Sequence, residues 1–195
     1  LDRSSAASDV YKRQDRVWPL SFAAQPAIHN PIRNDMPNYQ KGDVAFAGMY
    51  FAHKYPERRE QMEMLLGGAM DASGHLEDGL RIFSRFEGKD ERYLFPQPFS
   101  QRVVGSLPYE QMIAAYKNFK VFLNVNSVVD SPSMCSRRVF ELLASGTPVV
   151  STWSKALEET FSSTELVLVD SREEATLSIR CLLYTSPSPR DVEES

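Results

Sequence analysis

Cysteine and histidine are both scarce in this chain, at two and three residues among 195. Two thiols cannot build a disulfide framework, so a core must come from apolar burial, and this usage fits a reducing, cytoplasmic compartment. The histidines His29, His53 and His75 are scattered, and no carboxylates have ligand spacing, so no metal site is expected. No apolar run approaches the roughly 20 residues of a membrane-spanning helix, so no transmembrane segment is expected. An excess of basic charge is lacking too: 22 Lys and Arg against 26 Asp and Glu leave a formal charge of −4. That balance excludes the basic footprint of a nucleic-acid binder, and no nucleic acid partner is expected.

The two ends do not resemble the sequence between them. Codons can be chosen for Asp9–Gln14 (DVYKRQ) whose reverse complement, shifted by one base, reads as Cys181–Ser186 (CLLYTS). One DNA adapter translated from both strands accounts for both, and it resembles the transposase adapter of shotgun sequencing libraries. Residues 1–14 and 181–195 are therefore read as adapter-derived and set aside from fold reasoning. They carry +1 and −2, so residues 15–180 carry −3, with Cys135 as their one cysteine. That length fits one domain with a sizeable core, and it is read as a fragment.

Trp18–Lys41 is rich in proline and asparagine with little periodicity, and residues 15–41 read as an interdomain linker. From residue 42 onward the pattern alternates. Short apolar runs at Asp43–Phe51, Gly79–Phe86, Arg102–Leu107, Lys120–Asn126, Thr147–Thr152 and Glu165–Asp170 read as strands. Between them, Pro56–Met70 opens with Pro and Glu as a helix does, and Tyr109, Met112, Ile113 and Tyr116 recur at helical spacing. Cys135–Ser145 reads as a helix with Gly146 as its stop, a short helix surrounds Lys155–Phe161, and Ser171 with Glu174 forms a capping box for a last helix. Continuously apolar strands alternating with helices predict an α/β fold: a Rossmann-like, doubly wound parallel sheet over residues 42–180. Ligands of such sheets bind at the carboxyl ends of the strands.

One helix carries its charges the wrong way round. Arg137 and Arg138 sit near its start and Glu141 past its middle, whereas the helix dipole favours acids first and bases last. Together with Ser133, Ser136 and free backbone N–H groups in the preceding loop, this makes an anion-binding arrangement. The alternative is an Arg137–Glu141 pair at i,i+4 on an exposed face, worth a few tenths of a kcal/mol.

The segment SPSMCSRRVFELLASGTPVVST (Ser131–Thr152) resembles the nucleotide-sugar-binding motif of GT-B glycosyltransferases, specifically group 1 transferases related to the spore-maturation protein CgeB. The likeness extends from Pro19 to about Asp170 and is dense in QPAIHNP, FAGMYFAHKYPERR and VVGSLPYEQM. It implies the C-terminal half of a GT-B enzyme, with the N-terminal domain upstream of residue 41 and almost wholly missing. In that superfamily two glutamates are separated by seven residues; the second binds the ribose and matches Glu141, while Ser133 stands at the first. Ser133, Ser136 and Arg138 then serve the diphosphate, with Arg137 beside them. The turn Gly48–Lys54 matches a glycine followed by an arginine and, six residues on, a lysine that serve the leaving group; Lys54 fits the lysine, Met49 replaces the arginine, and His53 is a weaker neighbour. His29, in QPAIHNP, reads equally as a hinge histidine satisfied by backbone, and His75 reads as surface.

The resemblance implies a transferase of hexosyltransferase type, leaning toward retention and inactive as an isolated fragment. Its donor would be a UDP- or GDP-linked sugar bound without cofactor or metal; its acceptor, a saccharide, protein or lipid, is not readable. Arg138 and Lys54 would be catalytic through the leaving diphosphate; Glu141, Ser133, Ser136, Arg137, Gly48 and His53 would bind the donor. A nucleotide-sugar 2-epimerase, or a non-catalytic binding module derived from the same fold, would look similar at this level.

Overall fold

The computed structural model describes residues 21–33, 41–50, 56–86 and 88–185. Six strands, β1 (Gly42–Ala47), β2 (Leu80–Phe83), β3 (Val103–Gly105), β4 (Phe119–Asn124), β5 (Val149–Thr152) and β6 (Val167–Val169), form one sheet in the order β3-β2-β1-β4-β5-β6. Every pairing in it is parallel. Helix α1 (Pro56–Ser73) follows β1, two short 3-10 turns (Glu91–Tyr93 and Phe99–Arg102) join β2 to β3, and α2 (Tyr109–Asn118), α3 (Arg137–Ala144), α4 (Lys155–Thr160) and α5 (Arg172–Thr185) follow β3, β4, β5 and β6. The fold is the expected α/β doubly wound sheet.

The period-2 geometry of β1 sorts its side chains onto two cores. Val44 and Phe46 face Met62, Leu65 and Leu66 of α1 and Ala175 and Ile179 of α5. Ala45 and Ala47 face the other way, toward Ala115 and Tyr116 of α2 and Val139 and Leu142 of α3. All six residues of β1 are buried, which explains why the strand reads as a continuous apolar run instead of an alternating one. The ladder is shorter than the apolar run: it stops at Ala47, although the Gly48 N–H still donates to Phe83 O at 3.0 Å.

The helix ends follow the local signals. Gly146 adopts φ +74, a left-handed conformation that glycine takes without a Cβ penalty. Thr147 N–H then donates to Leu142 O at 3.1 Å and Gly146 N–H to Leu143 O at 3.0 Å, the paired bonds of a Schellman stop for α3. At α5, Glu174 N–H donates to Ser171 Oγ at 3.3 Å, but the Glu174 carboxylate accepts from Asp170 N–H, one residue before the expected partner. Helix α5 runs on through Cys181–Thr185, with Leu182 and Leu183 packed against the core.

Residues 21–33 hold no helix or strand, yet they are anchored. A turn closes with Ile28 and His29 N–H both donating to Gln25 O, and His29 is buried. Lys117 Nζ, near the end of α2, donates to Asn30 Oδ1 at 3.1 Å. Burial pushes the Lys117 ammonium below its ordinary pKa.

Candidate functional site

The strand order reverses direction between β1 and β4, and helices leave the sheet on opposite faces from these two neighbours. Such a switch point opens a crevice outside the carboxyl ends of the strands. A cavity of about 770 Å³ lies there. Its lining includes Ala47 and Gly48 after β1, Asn124 to Val128 at the end of β4, and Ser136, Arg137, Arg138 and Glu141 around the start of α3. Gly48 admits no side chain: a Cβ there would meet Phe46 Cζ, in the buried core, at 2.7 Å.

Helix α3 presents an open N-terminus to this cavity. Ser136 at its cap position makes no side-chain cap hydrogen bond, and the first turn holds no acid. Arg138 reaches from α3 to the end of β1, where its guanidinium donates to Ala47 O and, through Nε, to Tyr116 Oη at 3.2 Å. Burial raises the Tyr116 phenol above its ordinary pKa, and the Arg138 charge opposes that rise.

Arg137 takes the other course. Its Nε lies 2.8 Å from Glu141 Oε1, so the i,i+4 pair does form. The pair is not an exposed one: the Glu141 side chain is 4% accessible and that of Arg137 is 60%. Glu141 also faces His29, whose Nε2 lies 3.9 Å from Oε1 and 3.2 Å from Tyr109 Oη. Because His29 Nδ1 accepts the Gln25 N–H at 3.0 Å, the neutral ring carries its proton on Nε2, toward Tyr109 and Glu141.

Two more arginines line the same cavity, Arg58 in the first turn of α1 and Arg85 after β2. Arg58 donates to Ser127 Oγ and, at 3.5 Å, to Val125 O. Burial, and then the Arg138 charge, push the Arg58 guanidinium below its ordinary pKa. Among the described residues, Arg58, Arg85 and Arg138 have no carboxylate within 4.0 Å, so the cavity holds more positive charge than its one lining carboxylate offsets.

Beneath the cavity, the ends of β4 and β5 are joined by buried polar bonds. Asn124 Nδ2 donates to Ser151 Oγ at 2.9 Å, Asn126 Nδ2 to Thr152 O at 2.7 Å, and Asn126 N–H to Thr152 Oγ1 at 3.1 Å. These side chains are at most 4% exposed, and satisfied networks of this kind hold one geometry.

Of the residues singled out from sequence, Gly48, Ser136, Arg137, Arg138 and Glu141 come together around one cavity. Ser133 is exposed and lies outside its lining, and His75 is on the surface. His53 and Lys54 lie outside the described residues. Sequence reasoning missed Arg58, Arg85, Asn124 and Asn126. Arg58 carried the same signal as Arg138, a base in a helix's first turn; the asparagines were polar residues two apart at the end of an apolar strand. Among the described residues no group of His, Cys, Asp or Glu has the arrangement to hold a metal, and no helix is long and apolar enough to cross a membrane.

Residues 52–191 match a family model described as glycosyl transferase-like. No curated protein matches the chain. Among solved structures, the chain is similar to WaaG, a glycosyltransferase involved in lipopolysaccharide biosynthesis, at 14% identity and TM-score 0.57, covering 89% of this chain and 49% of that one. It is similar to sucrose-phosphate synthase from Thermosynechococcus elongatus at 17% identity and TM-score 0.53, covering 84% and 42%. A third neighbour is the C-terminal domain of a glycosyl transferase group 1 family protein, LpcC, from Francisella tularensis, at 12% identity and TM-score 0.54, covering 84% and 89%. The chain thus spans less than half of the first two structures, and at these identities the likeness is one of fold.

Proposed function

The chain belongs to the glycosyl transferase-like family, and from that premise we propose that it is the donor-binding half of a GT-B enzyme that moves a sugar from a nucleoside diphosphate to an acceptor. The observation that carries this reading is the cavity at the β1/β4 switch point, which joins the open N-terminus of α3, the Arg138 guanidinium on its neutral acceptors and a buried carboxylate. Coverage of 89% of a C-terminal transferase domain, against less than half of two longer chains, supports the assignment to one half.

In this reading the diphosphate lies at the start of α3, where free N–H groups and the helix dipole meet it and Arg138 donates to it. Glu141 accepts hydrogen bonds from the ribose hydroxyls, a task suited to a charged acceptor. Arg137 orients that carboxylate. When the bond from the sugar to the diphosphate oxygen breaks, negative charge grows on the departing phosphate, and fixed donors aimed at that charge lower the barrier more than any other single effect. Arg138 acts on the leaving group, and Lys54 is assigned the same role. Ser136 borders the phosphates, Gly48 lets the backbone approach them, and the donor is UDP- or GDP-linked. The acceptor is held by residues outside this half, so the isolated chain binds nucleotide without turning over.

Isothermal titration calorimetry of UDP and of GDP into the chain, wild type beside Glu141→Ala, tests the assignment. One nucleotide is expected to bind, with affinity lowered roughly tenfold or more by the substitution. Equal affinity in both proteins removes Glu141 from the ribose.

A further inference from the structure

Arg58 is a base in the first turn of α1, where the helix dipole disfavours it. Its acceptors are the Ser127 hydroxyl and the Val125 carbonyl, both uncharged, and among the described residues it has no carboxylate partner. The Arg138 charge, a like one, acts with burial to lower its pKa.

The two arginines cross over the switch point. Arg58 belongs to the helix that follows β1 and is bonded to the segment that follows β4; Arg138 belongs to the helix that follows β4 and is bonded to the last residue of β1. Both line the same cavity. Two guanidinium groups that line one cavity and rest on neutral acceptors repel each other but suit a polyanion, because each can donate to phosphate oxygens. Met49, which also lines the cavity, adds no charge there.

We propose that Arg58 and Arg138 form a two-sided clamp on the diphosphate, with Arg58 supplying the arm opposite α3. This rests on the donor-binding reading above and names the second residue of its anion subsite. The clamp is expected to favour a diphosphate over a monophosphate, since two linked phosphates offer oxygens to each arm.

The test uses inorganic pyrophosphate, UDP, UMP and uridine, with thermal unfolding and calorimetry as readouts. Wild type is expected to bind UDP more tightly than UMP and to gain thermal stability from pyrophosphate. Arg58→Gln is expected to lower UDP and pyrophosphate affinity roughly tenfold or more, to leave uridine unchanged, and to narrow the UDP-to-UMP ratio. Without ligand, Arg58→Gln is expected to unfold at or above the wild-type temperature, because a repulsion has been removed; a merely structural arginine would give a fall. If Arg138→Gln loses pyrophosphate binding while Arg58→Gln keeps it with an unaltered UDP-to-UMP ratio, the clamp is overturned and the donor site stands. If wild type binds neither UDP nor pyrophosphate, the donor-site reading itself fails and takes the clamp with it.

Discussion

Arg137 and Glu141 are joined across one turn of α3 at 2.8 Å, and the two ends of that bond live in different media: the carboxylate side chain is 4% accessible, the guanidinium 60%. A buried carboxylate that loses its close donor bears its full desolvation cost, whereas an exposed guanidinium is readily solvated. Arg137→Ala is therefore expected to lower stability by about 1–2 kcal/mol in urea unfolding. Nucleotide affinity is expected to change less than about threefold, while Arg138→Ala costs tenfold or more. A larger binding loss at Arg137 than at Arg138 would reverse their roles.

Cys135 lines the cavity and is partly shielded, and burial pushes its thiol above the ordinary value of 9.0. Since the thiolate is the reactive form, alkylation is expected to stay slow at neutral pH and to reach its half-maximal rate only above that value. The exposed Cys181 provides an internal control in the same digest. A nucleotide in the cavity is expected to slow modification of Cys135 and leave Cys181 unaffected. Equal protection of both cysteines would place the nucleotide elsewhere.

Asp71 of α1 receives two bonds from Arg172 of α5, at 2.7 and 2.9 Å, and these bonds chiefly hold its carboxyl below the ordinary value of 3.8. A group whose folded pKa is depressed contributes stability above its unfolded pKa and loses it as pH falls through the folded one. Asp71→Asn is thus expected to cost at most about 1 kcal/mol at neutral pH, as befits a solvent-exposed pair. The gap between the two proteins should close as pH falls below about 4 and shrink with added salt. A gap that widened on acidification would contradict the pairing.

Gly146→Ala is expected to destabilise by about 1–2 kcal/mol, because its φ of +74 disfavours a side chain. The new Cβ would also lie 3.2 Å from Pro31 Cβ, in the segment that carries His29. Thermal unfolding should fall by several degrees. Retention of the wild-type midpoint would show that the α3 stop can relax.

The order of elements was legible because the signals were local. Apolar runs marked strands buried on both faces, Pro56 opened α1, and Gly146 closed α3 with the bonds its position implied. The anion site was legible only in part. Misplaced charge identified Arg138, and the same criterion applied to PERRE would have identified Arg58, whose acceptors Val125 and Ser127 lie 67 and 69 positions on. What periodicity could not convey was depth. Nothing in the spacing of Arg137 and Glu141 distinguishes an exposed pair from one whose carboxylate is buried against His29, because His29 belongs to a stretch without regular structure more than a hundred residues earlier.

The amide and hydroxyl bonds that tie Asn124 and Asn126 to Ser151 and Thr152 give the crevice a rigid floor. The arginines above belong to helices on opposite faces of the sheet, so they are walls hung from separate supports. On the donor-binding proposal, a bound nucleotide is met by side chains that adjust over a fixed base. Amide-exchange rates at the strand ends would stay constant on addition of nucleotide while those at the starts of α1 and α3 change.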